Sequence, residues 1–231
     1  MNSARSTSSG SFFAYNVKKI NHGMTIDCEW TKPEWEVIKK LKIQNDNGWR
    51  MDFRPETTVR ICYNDEYLYI IYRVEDNFIR CLTNKTNGEV WKDSCVEFFF
   101  SPLDSKPRSY FNLEINCGGA IRLGYQRVPR IDNLLVTEED IKEIKVFHSL
   151  PEKIEREIVS PREWFVEAAL PIAMLEHYAQ IMVPRSGIKW KANLYKCAEN
   201  NSHPHWLSWT KIESTSPNFH LPEFFGEITF E

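Results

Sequence analysis

Along most of the chain, apolar and polar residues change places every second position, the period of a strand with one face in a core. Thr57–Tyr63 and Tyr67–Val74, joined by Asn64-Asp65-Glu66, predict a hairpin in which Leu68, Ile70, Tyr72 and Val74 share a face. Glu75-Asp76-Asn77 is expected to close its second strand. Val96–Phe100 alternates Val96, Phe98 and Phe100 against Glu97 and Phe99. In Ser109–Cys117, Phe111, Leu113, Ile115 and Cys117 point to the core, so Tyr110, Asn112, Glu114 and Asn116 point outward. Further strands are expected at Phe12–Ile20 (an edge), Glu143–Leu150, Glu163–Pro171, Ile188–Cys197 and Glu227–Phe230. Pro33–Leu41 reads as a short surface segment with Trp35 and Ile38 turned inward, and Ile172–Tyr178 as a short helix. Many short strands between Gly, Pro and Asn/Asp turns predict an all-β fold: a two-sheet antiparallel β-sandwich, jelly-roll or immunoglobulin-like, with one or two short helices.

The length of 231 residues suits one such sandwich, and 42% hydrophobic residues supply its core. Neither a linker nor an internal repeat interrupts it, so residues 12–231 are expected to form one domain behind a disordered polar tail, residues 1–11. A formal net charge of −3 gives no electrostatic case for nucleic acid or an anionic membrane. No apolar run reaches the length of a membrane span, and the Ser-rich amino terminus has no signal-peptide core. The expected address is cytoplasmic, or exported if the native amino terminus is missing. Cys28, Cys62, Cys81, Cys95, Cys117 and Cys197 form no CxxC pair and no zinc spacing, and read as small buried hydrophobes.

Candidate chemistry centres on Val90-Trp91-Lys92-Asp93-Ser94-Cys95-Val96-Glu97. A carboxylate between hydrophobes needs a solvated face or a partner. Trp91 stands in the turn-like entry to that strand, where an indole can be presented. An indole beside a fixed carboxylate suits a sugar, since the ring covers its apolar face and the carboxylate accepts hydroxyl hydrogens. The competing reading is a core Trp and a solvated Glu. Sequential strands tend to pair, which would gather Glu97, Asn112, Glu114 and Asn116 on one face. Glu97 with Glu114 also allows a glycosidase-like carboxylate pair. His203-Pro204-His205 offers two metal ligands without a third, or a hydrogen bond from His205 to a ligand. A protein-interaction sandwich is the remaining class.

Several phrases fall in a set order: Tyr67-Leu68-Tyr69-Ile70 with Val74-Glu75-Asp76, Val90–Glu97, Tyr110-Phe111-Asn112, Trp164–Pro171, Gly187–Asn193, Ser208-Trp209 and His220–Gly226. Together they resemble the family 9 carbohydrate-binding module-like fold, a relative of the DOMON sandwiches, over about Trp35 to Phe230. That resemblance implies non-catalytic binding of a saccharide, a glycan end or small sugar, between two Trp rings. It makes Trp91 one ring and Trp206, in the loop before Ser208-Trp209, the other. Glu97 becomes a hydroxyl acceptor, and Asn112 and Glu114 fall in the polar binding strand. Trp164, Trp190 and Trp209 are implied to be structural. Some family members hold structural calcium, but no acidic loop here has convincing ligand spacing, and no cofactor is expected. A haem, known among DOMON relatives, would need an inward axial His or Met pair.

Overall fold

The structure, a computed structural model, describes residues 13–103 and 108–231. The expected disordered tail and the centre of the turn after Ser101 lie outside the described residues. Among the described residues, thirteen strands run in order: β1 (Ala14–Lys19), β2 (Leu41–Ile43), β3 (Glu56–Tyr63), β4 (Tyr67–Cys81), β5 (Cys95–Ser101), β6 (Tyr110–Asn116), β7 (Ile121–Val128), β8 (Asp132–Leu135), β9 (Lys145–His148), β10 (Ile154–Pro171), β11 (Lys189–Ala198), β12 (His205–Ser208) and β13 (Gly226–Phe230). Among the described residues, three one-turn helices interrupt them, α1 (Pro33–Glu36), α2 (Glu138–Ile141) and α3 (Ile172–Leu175).

One sheet has the order β8-β7-β6-β5-β11-β13-β1, with β12 beside β11. The other runs β1-β3-β4-β10-β9, with β2 beside β3. The shared strand is β1: Ala14–Val17 pairs with β13 and Lys18-Lys19 with β3, both in parallel, whereas the other pairings are antiparallel. The segment expected as an edge is therefore the strand that crosses between sheets. Its alternation decides this, because Tyr15 and Val17 are buried between the layers while Ala14, Asn16, Lys18 and Lys19 are exposed.

The inner faces meet in one core, with Val96, Phe98, Phe100, Phe111, Leu113, Ile115, Trp190 and Leu194 from the first sheet and Val59, Ile61, Ile70, Tyr72, Val74, Trp164 and Val166 from the second. Phe100 stacks on both Phe111 and Trp190. The expected hairpin β3–β4 forms, in register from Glu56 opposite Glu75 to Tyr63 opposite Leu68. Glu75-Asp76-Asn77 does not end it: β4 continues to Cys81, paired with β10 through two irregularities of register.

A polar pair explains how charged residues extend that core strand. Asp76 of β4 and Lys196 of β11, both fully buried, face one another between the sheets with Nζ and Oδ2 3.5 Å apart. Lys196 Nζ also donates to the Cys197 carbonyl at 2.9 Å and to His205 Nε2 at 2.7 Å. His205 Nδ1–H donates to the His203 carbonyl, so the ring is neutral, and burial followed by the Lys196 charge pushes its pKa well below the usual range. Removing one partner of a buried ion pair strands the other, at about 3–5 kcal/mol. Lys196→Met is expected to lower urea stability by about that amount, and Lys196→Met with Asp76→Asn to recover much of it. A neutral single variant would contradict this account of the pair.

Candidate functional site under a covered sheet

The outer face of the first sheet carries the expected polar residues, but it is not open to solvent. Segments 45–54 and 209–225 fold over it and create a second apolar cluster from Trp49, Val90, Cys95, Phe99, Tyr110, Tyr195, Cys197, Ile212, Phe219 and Phe225. Tyr195 stacks on Phe219 at 4.0 Å and donates to its carbonyl, Trp49 Nε1 donates to the Ser214 carbonyl, and Tyr110 Oη lies 2.7 Å from His220 Nδ1. Tyr110 points to the outer face as expected and is buried there all the same.

Between sheet and cover lies a cavity of about 550 Å³. Its walls include Trp91, Glu97, Asn112, Glu114 and Trp206, five of the seven residues singled out from sequence, together with Arg122, Gln126, Arg130, Glu199 and His220. Glu97 and Glu114 sit directly opposite one another on β5 and β6, so the expected pairing of those strands holds. Asn112 Nδ2 donates to Glu114 Oε1 at 2.8 Å, and Gln126 Nε2 donates to Asn112 Oδ1 at 3.1 Å. Glu114 Oε2, buried, has no hydrogen-bond partner among the described residues. Gly124, opposite Asn112 on β7, keeps this row compact, since a β-carbon there would lie 2.8 Å from Asn112 Oδ1.

Both carboxyls bind protons more tightly than usual. Burial raises Glu114 from 4.5 to about 7, against the Asn112 hydrogen bond and the Arg122 charge. Burial raises Glu97 well above its ordinary value, helped by the neighbouring Cys197 and Glu114. The Cys197 thiol donates to Glu97 Oε1 at 3.0 Å.

The two half-buried indoles stand on neighbouring segments, one in a turn and one in a strand. Val90–Lys92 is a 3₁₀ turn, and the Lys92 carbonyl accepts from the Glu199 and Asn200 amides at the start of the β11–β12 connection. Trp206 lies in β12 rather than in a loop, paired with Cys197, and its Nε1 reaches Glu199 Oε1 at 3.4 Å. The Arg122 guanidinium stacks over Trp91 at 5.1 Å from the ring centroid.

Two expected site residues are placed elsewhere. Asn116 is fully buried at the end of β6 and donates to Asp93 Oδ2 and the Thr83 carbonyl, while its Oδ1 accepts from the Gly118 and Ala120 amides. Asp93 in turn accepts from the Leu82 and Thr83 amides. Asn116 and Asp93 thus brace the turn that carries Trp91 and do not line the cavity. His205 faces the opposite side of the sheet from Trp206, because adjacent strand positions alternate, and Lys196 occupies its free nitrogen. His203 stacks on Phe78 at 3.7 Å, so the two histidines do not converge on a metal. Trp164, Trp190 and Trp209 are buried in the core, as expected.

Arg122, Gln126, Arg130, Glu199 and His220 are cavity-lining residues that sequence reading missed. For Arg122 and Gln126 the signal was the alternation Ile121-Arg122-Leu123-Gly124-Tyr125-Gln126, which is β7. All six cysteines are buried and free. Among the described residues, no helix is long and apolar enough to cross a membrane.

Known proteins share this fold. A candidate carbohydrate-binding protein from Bacteroides uniformis superposes with a TM-score of 0.84 at 27% identity, over 96% of this chain and all of the other. A family 9 carbohydrate-binding module from Caldicellulosiruptor kristjanssonii, solved with cellotriose, shares the fold with a TM-score of 0.62 at 13% identity, covering 95% of this chain and 94% of the module. A protein from Arthroderma benhamiae described as extracellular is 22% identical over 189 residues, 76% of this chain and 79% of its own. The sequence profile of Carbohydrate-binding family 9 matches residues 31–230, nearly the whole sandwich. The chain belongs to Carbohydrate-binding family 9.

Proposed function

We propose that the cavity on the covered face binds a saccharide without catalysis, with Trp91 and Trp206 against the sugar ring and Glu97, Asn112 and Glu114 reading its hydroxyls. The observation that carries this reading is Glu114 Oε2, a buried acceptor that lines the cavity and has no partner among the described residues. An unpaired buried carboxylate oxygen costs on the order of 1–3 kcal/mol, which a sugar hydroxyl donated to it offsets. Gln126 and Asn112 hold that carboxyl in one orientation, so the site is formed before ligand arrives. Two half-buried indoles give apolar faces where a pyranose presents C–H groups, and the polar row supplies direction. Family membership and a relative solved with cellotriose support the same class of ligand.

The test is a thermal-shift screen against mono- and oligosaccharides, glucose and cellotriose included. A ligand that binds only the folded state raises the midpoint with concentration. At least one saccharide is expected to do so at millimolar concentration, and Trp91→Ala to abolish the shift. A panel without any shift, or a shift unchanged in both Trp91→Ala and Glu114→Gln, would overturn the proposal.

A further inference from the structure

Beneath the proposed sugar position, the floor of the cavity holds a group of a different chemistry. Cys95 and Cys197 are directly opposed residues of β5 and β11, and Glu97 follows Cys95 by two positions on the same face. Their two sulfurs and one carboxylate oxygen all lie within 4.8 Å of one another, and among the described residues this is the one such group of three metal-ligating side chains. We propose that Cys95, Cys197 and Glu97 form a binding site for a thiophilic divalent ion of the zinc type.

Three features carry the assignment. The donor set is two thiolates and a carboxylate, which suits Zn²⁺ and its d¹⁰ analogues, whereas calcium needs six to eight oxygens. A tetrahedral ion with bonds of about 2.3 Å to sulfur and about 2.0 Å to oxygen holds its ligands roughly 3.5–3.8 Å apart, within the spread seen here. The strands also fix the geometry, since Cys95 and Cys197 are in register and Glu97 is hydrogen-bonded to Cys197 already. Glu97 and Cys197 line the cavity, so an ion enters from it and keeps its fourth position toward it, where a water completes the tetrahedron. Binding releases the two thiol protons and the proton held by Glu97 to solvent, and replaces the Cys197–Glu97 hydrogen bond by two bonds to the metal.

The full chain, reduced and treated with chelator, is titrated with Co²⁺ and then with Zn²⁺. The expected result is one equivalent of cobalt giving tetrahedral visible bands and a strong sulfur-to-cobalt charge-transfer band, both removed by stoichiometric zinc. Cys197→Ser and Cys95→Ser are expected to lose most of that charge-transfer intensity, and Glu97→Gln to weaken cobalt binding tenfold or more. Cys81→Ser, a buried thiol outside the group, keeps the wild-type spectrum. No charge-transfer band, or an undiminished one in Cys197→Ser, overturns the site. Should a serine variant fail to fold, X-ray absorption of the zinc-loaded wild type decides. Two sulfur neighbours support the site, and none or four refute it.

Discussion

Trp206→Ala is expected to weaken saccharide binding by thirtyfold or more while changing the urea midpoint little. Truncating a central aromatic contact typically costs about 2 kcal/mol or more, which is that factor. The indole is only partly buried, and its strand neighbours His205 and Leu207 carry the inward packing of β12, so its removal leaves the ladder to β11 intact. Trp91→Ala is expected to lose as much affinity, and in addition to free the Arg122 guanidinium that stacks on it. Calorimetric titration with the best saccharide of the screen measures both. Loss of folding in Trp206→Ala would show that the ring is core and not contact surface.

Glu114→Gln is expected to remove the loss of stability that Glu114 causes as pH rises. The carboxyl is raised from 4.5 to about 7 by burial, so the folded state holds its proton more tightly than the unfolded state does. Its stabilising contribution is complete below about pH 4.5 and is lost as pH rises through about 7. At 1.36 kcal/mol for each tenfold change in proton affinity, ionisation costs the fold about 3 kcal/mol. The Gln variant retains the acceptor for Asn112 and cannot ionise. In ligand-free, chelator-treated protein it should therefore match wild type near pH 4.5 and exceed it by a few kcal/mol near pH 8 in urea unfolding. A pH-independent difference would show that Glu114 is not held protonated by burial. Saccharide affinity should run the other way and strengthen through neutrality, since an ionised carboxylate accepts hydroxyl hydrogens more strongly.

What the sequence made legible was mostly what alternation controls. Val96, Phe98 and Phe100 face the core and Glu97 and Phe99 face away, as read; the β5–β6 pairing that joins Glu97 to Glu114 followed from adjacency in the chain. What alternation cannot report is a second layer. Tyr110, Asn112 and Glu114 point outward, yet they are buried because segments 45–54 and 209–225 return over that face, and Asn116 is buried in the turn with Asp93. Those segments lack periodicity, so their place depends on distant contacts such as Tyr195 with Phe219 and Asn47 with Ile212. Asp76 looked like a strand end because its partner, Lys196, lies 120 positions away in the sequence and was itself unremarkable there. His205 and Asn116 were placed in the site by residue type. Strand parity puts the first on the far face, and the turn at Gly118-Gly119 consumes the polar atoms of the second. The family phrases reached Trp91, Glu97 and Trp206, whereas Arg122 and Gln126 needed β7 to be recognised as a strand.

The most direct test of the central claim is a crystal structure of the protein soaked with glucose and, separately, with cellotriose. The account predicts a sugar ring in the cavity in contact with Trp91 and Trp206, with a hydroxyl within hydrogen-bond distance of Glu114 Oε2. A saccharide bound elsewhere, or a cavity holding only water at saturating ligand, would contradict it.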